Sequence, residues 1–236
     1  MTRADTLVMD AAAAGVRVAA LCAKGHVVER YEPQALSTEA LVGCVSDVLQ
    51  ATQTPYAELA RIVFCHGPGS ALGARLSELV AYTLQAARAA QHPSRPPLQV
   101  GSFNALAYAQ LYLARLGPVQ YPCHTLAPAG SLGWYVCTRQ TAQAPLTLGT
   151  HALEGLAEVL AQGSAWVLPL RKYHPALPAQ VQVCTYTFTL LADELRQPKA
   201  WDTLPVLIPA GTFDTWPGAA GRAASSPQAP DSHPVA

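Results

Sequence analysis

The stretch FCHGPGSALGARLS, residues 64–77, constrains the fold more than any other part of the chain. It follows an apolar run, ARIVFC, and leads into LGARLSELVAYTLQAARAA. A short apolar strand, a glycine turn and a long helix make one half of a layered α/β unit. Such turns present backbone N–H groups to anions. Two standard phosphate patterns nevertheless fail here. Gly67 and Gly73 are one residue too far apart for GxxxxGK[ST], and no lysine follows. GxGxxG fails at its sixth position, which is Leu72. On pattern alone the stretch is a tight strand-to-helix turn.

The surrounding chain extends the α/β reading. TLVMD (residues 6–10) and the alternating run VRVAALCAKGHVVERYEP, with its Lys24–Gly25 turn, predict a strand and a hairpin. STEALVGCVSDVLQAT predicts a helix with Leu41, Cys44, Val45, Val48 and Leu49 on its inner face, and with Ser37 or Thr38 as cap. In the helix after the glycine turn, Leu76, Leu79, Val80 and Leu84 mark one face. Ala74, Ala81, Ala87 and Ala90 leave the remaining surface small, open to close approach by another helix. LQVGS and SFNALAYAQLYLARLG add a strand and a helix whose inner face is Phe103, Leu106, Ala107 and Leu111. The order is βββαβαβα, with a mixed sheet.

The character changes after Gly117, since fourteen of the twenty prolines fall in 118–236. Residues 1–116 read as one lobe and 117–216 as a smaller, divergent second lobe. The segment 217–236, nearly devoid of bulky apolar side chains, reads as a disordered tail. In the second lobe QYPCHTLAPAGSLGWYVCTRQ predicts a strand pair and LEGLAEVLAQ a short helix. AWVLPL, VQVCTYTFTLLADEL and LPVLIP are strand or helix fragments between breakers.

Half of the residues are hydrophobic and 13% are charged, so part of the surface is expected to be covered by a partner. The formal net charge is +0, which argues against autonomous nucleic-acid binding. The six cysteines form no CxxC pair and read as buried free thiols of a cytoplasmic protein. No apolar run reaches the length of a membrane span. The seven histidines are scattered without HxxxH spacing, and no metal site is expected. His66 adjoins the glycine turn but carries no catalytic expectation.

Taken as a whole string, GPGSALGARLS resembles the GPGSFTGLRIG signature of the TsaB (YeaZ) family. Gly67, Pro68, Gly69, Ser70, Gly73 and Arg75 match in register. TLVMDAA resembles that family's opening strand, which ends in Asp-Thr-Ser: Asp10 matches, while Ala11 and Ala12 replace both hydroxyls. STEALVGCVSDVLQ resembles its HSERLLPLIDELL helix, with Ser37 in place of the histidine. PLQVGSFNALA fits at Val100, Ser102, Leu106 and Ala107. The resemblance covers roughly residues 6–116. Beyond it, PAGSLGWYVC stands for the DARxGEVY stretch, with Gly130 and Gly133 replacing the arginine and the glutamate.

The resemblance implies the fold of actin, the sugar kinases and Hsp70 (ribonuclease H-like), a mixed sheet with flanking helices in two lobes. It implies a non-catalytic scaffold in the complex that attaches threonylcarbamoyl to a tRNA adenosine. The partners would be a TsaD-like catalytic subunit and a TsaE-like ATPase, with a homodimer also open and tRNA met only through the complex. The partner surface would lie on the helices at about 38–51 and 72–90, at Leu41, Val45, Ala74, Ser77, Ala81, Tyr82 and Gln85. No cofactor is expected on the chain alone, and a nucleotide (ATP or ADP) is open at the boundary with TsaD. Asp10 would be a vestigial nucleotide-site position or a capping carboxylate in its turn. Two alternatives stand beside this reading: an actin-fold enzyme (a small kinase, an ATPase or a TsaD-like transferase), and a diverged homodimer outside tRNA modification.

Overall fold

The computed structural model describes residues 3–33, 38–129, 133–169 and 180–196. The expected tail at 217–236 and the LPVLIP fragment lie outside them. The described residues fall within one compact unit, 1–206.

The first half forms a five-stranded sheet. β1 (Ala4–Asp10), β2 (Val16–Cys22) and β3 (Val27–Glu32) run as an antiparallel meander. α1 (Thr38–Ala51) then leads through a 3-10 turn (Tyr56–Glu58) to β4 (Arg61–Cys65), which lies parallel to β1. α2 (Ala71–Gln91) crosses over to β5 (Gln99–Phe103), parallel to β4, and α3 (Ala105–Leu116) follows. This is the predicted βββαβαβα order, and the sheet reads β3-β2-β1-β4-β5.

The second half repeats that topology. β6 (Cys123–Pro128), β7 (Trp134–Arg139) and β8 (Thr147–His151) form another antiparallel meander, as the strand-pair reading expects for the first two. α4 (Leu153–Leu160) is followed by β9 (Ser164–Val167), parallel to β6, and β10 (Gln182–Val183), parallel to β9. The order β10-β9-β6-β7-β8 is the first sheet's order with strands renumbered. A short α5 (Ala192–Arg196) follows.

Strand alternation sorts the side chains into three apolar clusters. Leu7, Met9, Ile62 and Phe64 face α1 and α2, where they meet Leu41, Val45, Val48 and Ala81. Val8, Val63 and Cys65 face the opposite way, onto α3. In the second sheet Ala127, Tyr135 and Cys137 join that same central cluster, while Leu126, Trp134 and Val136 face α4. α3 therefore belongs to the cluster shared by both sheets, and it is buried far beyond its predicted stripe: Tyr108, Ala109, Gln110 and Tyr112 are buried too. Its polar groups are matched accordingly. Asn104 caps it, accepting from Leu106 N–H (3.0 Å) and Ala107 N–H (3.1 Å). Gln110 donates to the carbonyls of Cys123 (2.8 Å) and Cys137 (3.0 Å), tying the helix to both β6 and β7.

α2 corrects the expected orientation. Its most buried line is Gly73, Ser77, Ala81 and Arg88, and Leu79 points outward. Leu76, Val80 and Leu84 are only partly buried against the core. Gly73, Ser77 and Ala81 let the helix lie close on the sheet; of the other alanines expected to await a second helix, Ala74 and Ala87 are half-buried and Ala90 is exposed. All six cysteines are free and buried. Among the described residues no helix is long and apolar enough to cross a membrane.

Candidate functional site: a filled glycine turn and an exposed helix face

The glycine turn lies at the carboxyl ends of the parallel strands β1, β4 and β5, where open α/β sheets usually bind ligands. Here the position is filled by the chain itself. Ser70 N–H donates to the Ala12 carbonyl at 2.7 Å. The Ser70 hydroxyl caps α2 by accepting from Gly73 N–H at 3.1 Å. Ala74 N–H reaches back to the Ser70 carbonyl (2.9 Å). The glycines are required by this contact. A Cβ on Gly69 would stand 2.3 Å from the Ala12 carbonyl oxygen, and one on Gly73 would stand 1.7 Å from that of Ala11. Gly67 and Gly69 also take positive φ (105° and 150°), and the Gly67–Pro68 peptide is cis. On the far side of the turn Ala105 N–H donates to the Gly67 carbonyl at 2.8 Å. The Ala11 and Ala12 carbonyls pack against this helix start, and the Ser70 and Gly73 N–H groups are bonded within the chain.

Asp10 is equally committed. It is buried, and its Oδ1 accepts from Ala12 N–H (2.8 Å) and Ala13 N–H (3.3 Å), closing the turn after β1. Its Oδ2 accepts from the Tyr186 hydroxyl. Burial and the Asp10 charge hold the Tyr186 phenol well above its ordinary range, so it remains a donor. Beside this pair lies a cavity of about 20 Å³ bordered by Arg17, Tyr31 and Pro169, room for about one water. Arg17 pairs with Glu29 and stacks over the Tyr31 ring at 4.0 Å. Glu29 in turn accepts from Phe188 N–H (3.0 Å). Tyr186 and Phe188 form an aromatic cluster with Phe103, Tyr108 and Tyr112. The 184–188 segment thus closes over the end of β1. Nothing in its sequence marks it: Tyr186 carries no motif, and its partner is 176 residues away.

His66 donates its backbone N–H to Phe103 O (3.1 Å). Its ring nitrogens are buried without a hydrogen-bond partner, and burial pushes its pKa down, which keeps the ring neutral. Arg75 lies on the exposed side of the first turn of α2. Among the described residues no three His, Cys, Asp or Glu side chains gather as a metal site.

The expected partner-facing residues divide in three. Leu41, Val45, Ser77 and Ala81 are buried within this chain and cannot form a surface. Leu41 and Val45 cover the first sheet from α1, and Ser77 and Ala81 lie where α2 sits closest to it. Ala74 and Gln85 are half-buried, and Gln85 donates to the Leu98 carbonyl at 2.8 Å. Tyr82 is exposed. The same helices expose large apolar side chains that were not among the expected partner-facing residues: Val42 on α1, and on α2 Leu72 and Leu79, the latter expected on the apolar face. Leu72, Leu79 and Tyr82 follow one stripe of α2 at helical spacing.

Two mixed sheets of repeated topology, flanked by helices, define the actin-like, ribonuclease H-like class. Among solved structures the chain is similar to an uncharacterized protein with similarity to peptidase YeaZ from Pseudomonas aeruginosa. The TM-score is 0.57 at 19% identity, over 86% of this chain and 98% of that one. YeaZ from Pseudomonas aeruginosa also aligns, with a TM-score of 0.46 and 22% identity over 74% of this chain and 72% of that one. The chain matches no protein-family model and no curated protein sequence. The fold is therefore YeaZ-like.

Proposed function

We propose that the chain is a divergent TsaB-type scaffold, a non-catalytic subunit of a tRNA threonylcarbamoyladenosine-forming complex. The observation that carries the reading is the exposed apolar stripe of α2, Leu72, Leu79 and Tyr82, on the helix that starts at the TsaB-like signature. Exposed side chains of this size cluster where proteins associate. The glycine turn and Asp10 support the non-catalytic part, because the Ser70 and Gly73 N–H groups and both Asp10 carboxylate oxygens are hydrogen-bonded inside the chain.

In this reading the partner is a TsaD-type subunit docked on α1 and α2, with a TsaE-type ATPase joining the complex. A nucleotide in the complex sits at the boundary with the TsaD-type subunit and takes its phosphate contacts from that subunit. tRNA is met only through the complex, and the site of action is the cytoplasm. The test is reconstitution. The chain, the TsaD-type and TsaE-type proteins of the same genome, tRNA and the threonylcarbamoyl donor are combined, and tRNA nucleosides are measured by mass spectrometry. Modified adenosine should form only when the chain is present, and D10N should support it as well as the parent chain. Formation without the chain, or its loss with a folded D10N, contradicts the proposal.

A further inference from the structure

A groove of about 450 Å³ opens where the end of α2 turns through the proline-rich loop into β5. Its size is that of a small-molecule site. Ala86, Ala89 and Pro93 give it apolar walls, and Arg88 and Arg95 are its charged members. No carboxylate borders it among the described residues.

Both guanidinium groups are held by backbone carbonyls rather than by acids. Arg88 is buried and donates from Nη1 to the Leu59 carbonyl, while its buried Nε has no partner. Arg95 donates from Nη1 to the Ala57 carbonyl at 3.0 Å. Glu58, the acid between those carbonyls in sequence, is paired with Arg3 instead. The C-terminal dipole of α2 favours Arg88, which sits in its last turn, but a dipole offsets only part of a unit charge. A buried cation without a counter-charge is costly. Arg88 is such a cation, and Arg95 stands exposed beside it at the same groove, each with one arm anchored on a carbonyl. A guanidinium so held is ready to bind an oxyanion through its other N–H groups.

We infer that this groove binds a small oxyanion-bearing molecule, a phosphate or carboxylate compound whose apolar part lies against Ala86, Ala89 and Pro93. The site is distinct from the glycine turn and does not depend on the scaffold reading.

The test is calorimetric titration of the full chain with pyrophosphate and, separately, with citrate, at constant ionic strength. The R95Q variant changes an exposed arginine and leaves the core intact, whereas R88Q risks the fold. R30Q, on β3, controls for general surface charge. Saturable one-to-one binding is expected, weakened about tenfold or more in R95Q and unchanged in R30Q. Binding of pyrophosphate alone assigns a phosphate ligand, and binding of citrate alone a carboxylate. Heat that does not saturate, or equal affinity in R95Q and the parent chain, overturns the inference.

Discussion

Tyr186 donates its phenolic hydroxyl to Asp10, joining the loop after β10 to the turn after β1. The bond closes the strand ends of the first sheet with a residue supplied from the end of the second. Y186F removes the donor and leaves a buried carboxylate with its two backbone partners only. The loss is expected at about 1–3 kcal/mol in urea unfolding. Its coupling to D10N should appear as non-additivity in a double-mutant cycle. Additive losses would mean that the two groups act separately.

Gly73 is expected to be the least replaceable residue of the glycine turn. In G73A the new methyl falls on the Ala11 carbonyl, and backbone must move. We expect a loss of about 3 kcal/mol or more, by the same unfolding measurement. S70A removes only the side-chain cap of α2 and should cost about 1 kcal/mol. If phosphate binding rather than packing required the glycine, G73A would fold normally.

Stability should fall toward both acid and alkali. Burial lowers the pKa of His66 and His124 from 6.5, so the folded state resists protons that the unfolded chain accepts. Their contribution is present above pH 6.5 and is lost as pH falls from there through the folded values. Burial raises the thiols instead, Cys137 and Cys184 from 9.0 to about 12 and Cys65 well above 9.0. Their contribution is present below pH 9.0 and is lost as pH rises toward about 12. Midpoints of urea unfolding across pH measure this, and H66Q and H124Q should flatten the acid limb. The same burial predicts that all six thiols react with a disulfide reagent only after unfolding.

Much of the first sheet was legible because its strands β1, β2 and β4 are short apolar runs bounded by turns, buried on both faces, and because α1 follows a period of 3.6. Leu41, Cys44, Val45 and Val48 stand on the inner face that their spacing predicts. α2 was misread for a physical reason. Its inner line needs small residues where the helix approaches the sheet, so Leu79 was left outside and Ala81 went in. A hydrophobicity pattern does not report how near a helix lies to its support. The repeated topology of the second half is not a sequence repeat, and β10 is only two residues long, so no period announced it. The Asp10–Tyr186 bond had no local signal at all.

The most direct test of the scaffold account is association. The chain is co-expressed with the TsaD-type protein of its genome and examined by size-exclusion chromatography with light scattering, beside L79E. Leu79 is exposed, so the charge should leave the fold intact, which circular dichroism checks. The account predicts a one-to-one complex for the parent chain and separated, folded partners for L79E. A parent chain that stays monomeric beside the TsaD-type protein contradicts it, as does an L79E complex as tight as the parent's.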